Sequence, residues 1–425
     1  MTAAVLALLA VALPFAQSGF SASDTAWRAV AARPEIAPRA FVASTPSRGE
    51  PGALALAGEG NPAASGGWER RLDSVVAGRW YRLRACYRAQ GIPNESWQVL
   101  ARLDWLQATG ERAGQPDYAY KAEDDAGWRR LTLEAPAPEG AQAVAVQLQL
   151  RDGGQGVVYW DDVRVEEIEA PAPRRVTVAA VNLRPRGTAS AADSVRSWLA
   201  AAAVGVPSGA DVVLLSEGIP MVGTGKPYVE VSEAVPGPTT TALGTLARQK
   251  HAWVVAGLYE REGTTVYNTA VLIDRDGRLA GRYRKVYLPR EEVEGGLTAG
   301  KAYPVFTTDF GTVGLMICWD TNFADPARAL ALAGAEVLLI PIAGGNETLV
   351  HARAIENRVF VATSGYDIAT EVVDPDGKTL ARAVTDGTVA VATIDLARRY
   401  TDPWLGDMRA RLRKELRTDL ATPRP

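Results

Sequence analysis

Cysteine and histidine are the scarcest reactive residues in this 425-residue chain, with two of each. Two cysteines cannot build a disulfide framework, and two histidines without a cysteine cluster exclude the common zinc patterns. Neither His251 nor His351 stands in a metal-ligand spacing. An excess of one charge is also lacking. The net charge is −3, which gives no general attraction to nucleic acid or to an anionic membrane surface. The apolar run in MTAAVLALLAVALPFAQSGFSA at the N-terminus is too short to span a bilayer comfortably. It reads as a signal peptide with a cleavage site around Ala16-Gln17-Ser18, although no Lys or Arg precedes it. The expectation is export to the periplasm or the exterior, the alternative being a cytoplasmic protein with an apolar N-terminus.

What is present is the composition of a soluble globular protein, 47% hydrophobic and 22% charged, with length for two domains. The halves follow different patterns. From Trp27 to about Glu169, short stretches alternate apolar and polar residues. In WYRLRACYRA, Tyr81, Leu83, Ala85 and Tyr87 share one face, and Arg82, Arg84, Cys86 and Arg88 share the other. AVAVQLQL and the stretch Trp97 to Trp105 alternate in the same way, with no helix evident between them. Period-two alternation broken by turn signals predicts an antiparallel β-sandwich. Tryptophan concentrates in this half, as core filling and as a candidate platform for a glycan. The segments GWERRLDSVVAGRWYRLRACYRA, GWRRLTLEAPAPEGAQAVAVQLQL and VVYWDDVRVEE resemble the galactose-binding-like jelly-roll modules found beside many secreted enzymes.

A proline-stiffened linker, Glu169-Ala170-Pro171-Ala172-Pro173-Arg174-Arg175, separates the halves. Beyond it, apolar strand candidates such as VTVAAVNL, HAWVVAGLY and EVLLIPI alternate with helix candidates, which predicts a layered α/β core. The expected division is a signal peptide over residues 1–22, a sandwich module over 23–169, a linker over 170–175 and an α/β domain with a C-terminal tail over 176–425. The charged segment Met408 to Leu416 reads as a helix packed on the surface or on a partner subunit.

Three short stretches of the second half end in reactive side chains. ADVVLLSEG delivers Glu217, RYRKVYLP delivers Lys285, and VGLMICWDTNF switches polarity at Cys318. Taken singly, Cys318 reads as a small buried hydrophobe, Glu217 as a helix cap and Lys285 as a solvated strand residue. A Cys86–Cys318 disulfide is a further alternative for an exported chain. Brought together, an ammonium, a carboxylate and a thiol offset the cost of burying each charge alone, and the carboxylate can shuttle protons.

The order and flanks of these residues resemble the nitrilase, or carbon–nitrogen hydrolase, superfamily. The resemblance spans about Arg174 to about Arg399. It rests on GADVVLLSEG, YNTAVLIDRDGRLAGRYRKVYLP, GLMICWD and HARAIENRVFVATSG, in that order. It implies a four-layer α-β-β-α sandwich, a Glu217–Lys285–Cys318 catalytic set, and dimerisation or a higher homo-oligomer. It also implies a second glutamate after the lysine. In PREEVEGG this is Glu292, with Glu291 and Glu294 as the neighbouring alternatives. Ser216 stands where the family usually has proline. The expected chemistry is cysteine-dependent hydrolysis of a non-peptide C–N bond in an amide or carbamoyl substrate, through a thioester. Cys318 attacks, Glu217 moves protons, and Lys285 and the Trp319 backbone N–H stabilise the oxyanion. Glu292 orients the substrate or supports Lys285, and no metal or organic cofactor is required. Transfer of the acyl group to an amine, nitrile hydrolysis, or a glycan-binding protein with an inert hydrolase half are the rival readings. Helix docking accounts for His351, Arg353, Glu356 and Asn357, and Asn346 and Glu347 are placed at the pocket rim.

Overall fold

The structure is a computed structural model that describes residues 14–417, 419 and 420. The chain divides into two compact units. One runs to Pro171 and takes in the segment from Thr401 onward, and the other is Ala172–Tyr400.

In the first unit, among the described residues, seven strands form one sheet and five form another, all their pairings antiparallel. Long strands carry the alternation into structure. Trp80–Gln90 pairs with Val157–Ile168 and Trp128–Pro136 in the first sheet, and Ala143–Leu150 pairs with Gly66–Asp73 and Val99–Leu106 in the second. Tyr81, Leu83 and Trp160 from one sheet and Trp105, Val146 and Leu148 from the other fill one core. Each such side chain contributes roughly 1.5–3 kcal/mol by leaving water. On the opposite face Arg82 forms ion pairs with Glu134 at 2.7 Å and Glu166 at 3.0 Å.

Three expectations about this half change. Trp97 and Gln98 belong to one helical turn, Glu95–Gln98, rather than to the strand. Asn94 caps the turn by accepting from Trp97 N, an arrangement that competes with extended backbone. The folded unit also starts ahead of the expected boundary at residue 23. Residues 1–13 of the stretch read as a signal lie outside the described residues, but Pro14–Gln17 pairs with Val163 to Glu166, and Phe20 is buried against Trp27. Finally, the segment from Thr401, expected to stay with the second domain, packs with the first. Lys414 Nζ donates to Val99 O at 3.1 Å, and Ser96 Oγ donates to Arg413 O at 2.7 Å.

The second unit has two six-stranded sheets. The first orders its strands Leu279–Arg284, Thr265–Ile273, Trp253–Glu262, Val212–Leu214, Arg175–Val181 and Val389–Asp395. The second orders Val305–Thr307, Thr312–Leu315, Val337–Pro341, Phe360–Ser364, Thr370–Val373 and Thr379–Ala383. Val178, Val255 and Leu272 meet Leu315, Leu339 and Ala362 between the sheets. The helices Ala191–Gly205 and Pro238–Lys250 cover the outer face of the first sheet through Trp198, Leu243 and Leu246. Ala324–Leu332 and Glu347–Asn357 cover the second through Leu330 and Val350. Strands buried on both faces explain the near-continuous apolar runs. The resulting layers are helix, sheet, sheet, helix, as expected.

Candidate active site

Each reactive side chain sits just past the end of a strand. Val212–Leu214 runs parallel to its two neighbours and leads into Leu215, Ser216 and Glu217. Ser216 Oγ donates to Ile342 O at 2.7 Å, which ties this strand end to the other sheet. Gly257 passes so close that a Cβ there would lie 2.7 Å from Glu217 Cα. Only glycine allows that approach without a shift.

The strand Leu279–Arg284 sorts its cations by alternation. Arg282 and Arg284 point away from the core and pair with Glu260. Tyr283 and Lys285 point inward, each 1% exposed. Cys318 follows Thr312–Leu315 and opens the one-turn 3-10 helix Cys318–Asn322 with φ of +38°. A positive φ at a residue with a Cβ is strained, and strain of this kind clusters where a side chain is held for function.

These three elements bring Glu217, Lys285 and Cys318 together. Lys285 Nζ donates to Glu217 Oε1 at 2.9 Å and to Glu292 Oε1 at 2.7 Å. The Cys318 thiol donates to Gly344 O at 3.3 Å, and its closeness to Glu217 helps to lower that carboxyl's pKa. Ala343 N donates to the other oxygen of Glu217 at 2.9 Å. Of the three candidate second glutamates, Glu292 is the buried one, while Glu291 and Glu294 are exposed. Trp319 is in the first turn of its helix, where a backbone N–H has no intrahelical acceptor. Both cysteines are free thiols.

Burial and charge act against each other here. Burial works to raise Glu217, but Lys285 and the hydrogen bonds from Lys285 and Asn268 more than offset it, so its pKa falls. Burial raises Glu292, and the charge on Glu217 adds to that. Lys285 is held charged: burial opposes its charge, and the carboxylates on either side outweigh it. Burial pushes the Cys318 thiol up to about 12, with Glu217 acting in the same direction and Lys285 against it. The resting site is therefore an ionised Glu217, an ammonium and a neutral thiol.

Two members went unread in the sequence. Asn268, fully buried on Thr265–Ile273, donates at 2.8 Å to both Glu217 Oε1 and Glu292 Oε1. The available signal was a polar residue at an inward strand position. Asp320, also fully buried, accepts from Tyr283 Oη, Ile317 N and Tyr287 N. Asn346 and Glu347, expected at the rim, are committed elsewhere: Asn346 caps Glu347–Asn357, and Glu347 pairs with Arg382. His351 bonds Gly377 O and Glu371, each at 3.0 Å. Among the described residues, no group of three or more His, Cys, Asp or Glu side chains is arranged to hold a metal ion.

The family model for carbon-nitrogen hydrolase matches residues 177–403. The chain is 31% identical to omega-amidase NIT2 of Homo sapiens over 214 residues, which is 44% of this chain and 78% of that protein. It is 31% identical to omega-amidase NIT2 of Danio rerio over 241 residues, 50% of this chain and 84% of that protein. A crystal structure of an amidase from Nesterenkonia sp. is 25% identical, with a TM-score of 0.45, covering 52% of this chain and 90% of that chain.

Proposed function

This chain belongs to the carbon–nitrogen hydrolase family, and from that premise we propose that it hydrolyses a small amide with Cys318 as nucleophile. The observation that carries the reading is the convergence of Glu217, Lys285 and the Cys318 thiol in one buried cluster. A thiol pushed up to about 12 is not a standing thiolate, so it needs a base at the moment of attack. Glu217, ionised and in contact, is that base.

Cys318 Sγ bonds to the amide carbon as Glu217 takes its proton. The oxyanion forms against Lys285 Nζ and the Trp319 N–H, fixed donors that cost little reorganisation. The intermediate collapses by breaking the C–N bond, and Glu217 returns its proton to the departing nitrogen, which leaves as ammonia or an amine. A thioester to Cys318 remains. Glu217 then deprotonates water, which attacks the thioester carbon. Breakage of the C–S bond releases the acid, and the proton returns to sulfur. Glu292 and Asn268 hold Lys285 and Glu217 in register, and Glu292 Oε2, buried without a partner, is left to meet the substrate.

The relatives named omega-amidase favour an amide over a nitrile substrate. The test is ammonia release from a panel of amides, carbamoyl compounds and nitriles, with mass spectrometry on Cys318. Release by the wild type, none by Cys318→Ala, and an acyl adduct on Cys318 are expected. Undiminished release by Cys318→Ala sinks the reading.

A further inference from the structure

The ring of His351 meets two acceptors. Its Nδ1 is 3.0 Å from Gly377 O, and its Nε2 is 3.0 Å from Glu371 Oε1. A carbonyl and a carboxylate only accept, while a neutral imidazole has one N–H and one lone pair. One of the two contacts is therefore lost whenever the ring is neutral, and both are made when it is an imidazolium.

Glu371 calls for the same charge. Its side chain is 1% exposed, against 27% for the ring, and a buried carboxylate is costly without a cation. Arg382 stands opposite it across the hairpin strands Thr370–Val373 and Thr379–Ala383. That guanidinium is 3.4 Å from Glu371 Oε2 and is shared with Glu347 of the helix at 2.9 Å. Thr379 Oγ1 donates to the same Oε2 at 3.2 Å. Among the described residues Oε1 is left to the ring. The charged groups of the hairpin turn are committed elsewhere. Asp376 pairs with Arg358 at 2.6 Å, Asp374 accepts from Asp376 N and Lys378 N, and Lys378 is exposed.

The helix that carries His351, Glu347–Asn357, starts just after the segment that touches both reacting groups. Ala343 N donates to Glu217 Oε2 at 2.9 Å, and Gly344 O accepts from the Cys318 thiol at 3.3 Å. Only Gly345 lies between that segment and the helix cap, Asn346. The pair Gly344-Gly345 restrains its own backbone little, so the seat of the helix sets where this segment stands.

We propose that His351 is a positioning residue that works as an imidazolium: with Glu371 it fastens the helix to the hairpin, and so holds the Ala343–Gly344 backbone against Glu217 and Cys318. The fastening is complete while the ring keeps its proton and is lost as the pH rises and the proton leaves. The catalytic part rests on the hydrolase reading, so the first test needs no turnover. Ring-nitrogen NMR shifts of the full-length protein are followed over about pH 5 to 8, the span in which imidazoles titrate. The chain has two histidines, so His351→Gln or His251→Gln assigns the signal. Both nitrogens of His351 are expected to be protonated at the acid end, and their deprotonation to bring a fall in the unfolding midpoint. Glu371→Gln is the second test. Its amide can donate to a neutral Nε2 and keeps an oxygen for Thr379, so this variant is expected to hold its midpoint better than the wild type as the pH rises. In ammonia release, wild-type kcat is expected to fall about tenfold over that span as the segment shifts, and kcat of Glu371→Gln to fall less. A ring with one protonated nitrogen throughout, or the same midpoint and kcat profiles in wild type and Glu371→Gln, overturns the proposal. No ammonia from any amide, with ring and midpoints as expected, refutes the hydrolase reading and leaves the fastening standing.

Discussion

Tyr283 donates its phenolic hydrogen to Asp320 Oδ2 at 2.7 Å. Tyr283 lies two positions before Lys285, and Asp320 lies two positions after Cys318. The same carboxylate accepts from Ile317 N and Tyr287 N at 3.0 Å each, so it ties a side chain before the lysine and the backbone after it to the turn that presents the thiol. Asp320→Asn puts an amide NH₂ against one of these donors. The expected loss is ~1–3 kcal/mol of stability, with kcat down roughly 10–100-fold from misplacement of the reacting groups. Denaturant unfolding beside steady-state ammonia release checks it. Because Asp320 touches no reacting atom, the pH profile is expected to keep its shape, and a shifted profile argues against a purely positioning role.

Glu217→Gln separates thiol acidity from catalysis. The Glu217 charge helps to hold Cys318 near 12, so removing it leaves Lys285 to favour the thiolate. The thiolate is expected to appear at lower pH, followed by its ultraviolet absorbance, while turnover falls about 10²–10⁴-fold for want of a proton carrier. A Glu217→Gln protein with a more acidic thiol and full activity contradicts the assignment.

The wild-type pH profile carries a sign. In the proposed reaction Glu217 acts as base in its ionised form, and its folded pKa is lowered. kcat/KM should therefore fall only as pH drops through that lowered value, with the acid limb below the usual carboxylate value of about 4.3. An acid limb above it, in the range of an ordinary imidazole, removes Glu217 from the role.

Lys285→Met leaves two buried carboxyls without their cation. Breaking a buried pair in this way costs about 3–5 kcal/mol. The variant's deficit should lessen as pH falls, because protonating Glu217 and Glu292 removes the unpaired charge. Unfolding midpoints at mildly acidic and neutral pH measure it, and a deficit that grows on acidification contradicts the account.

Gly257→Ala tests backbone proximity. A methyl placed 2.7 Å from Glu217 Cα must push one strand end away from the other. A drop in kcat of about 10–100-fold with KM little changed is the expected outcome, and wild-type kinetics would show that the approach is not needed.

The meeting of Glu217, Lys285 and Cys318 was legible because their motifs stand together in order, and a buried charge is expensive unless it is paired. Their supports were not. Asn268 lies within TVYNTAVLI and reads as an ordinary strand residue, since nothing local announces two carboxyls across the sheet. Asp320 was visible only as the residue after CW, because its three donors come from the start of its own turn and from residues on either side of Lys285, distant in sequence. Trp97 was misplaced because an Asn cap outweighed strand alternation over four residues. The layers of the second half were legible from their two-sided burial.

Lys414 and Arg413 anchor the last helix to Val99 and Ser96, although some three hundred positions lie between. The first unit is thus interrupted in the chain by the second. During synthesis its closing piece emerges only after every residue of the hydrolase half has left the ribosome. A proteolytic cut in the proline-rich connector would also leave the halves covalently joined through Tyr400 and Thr401.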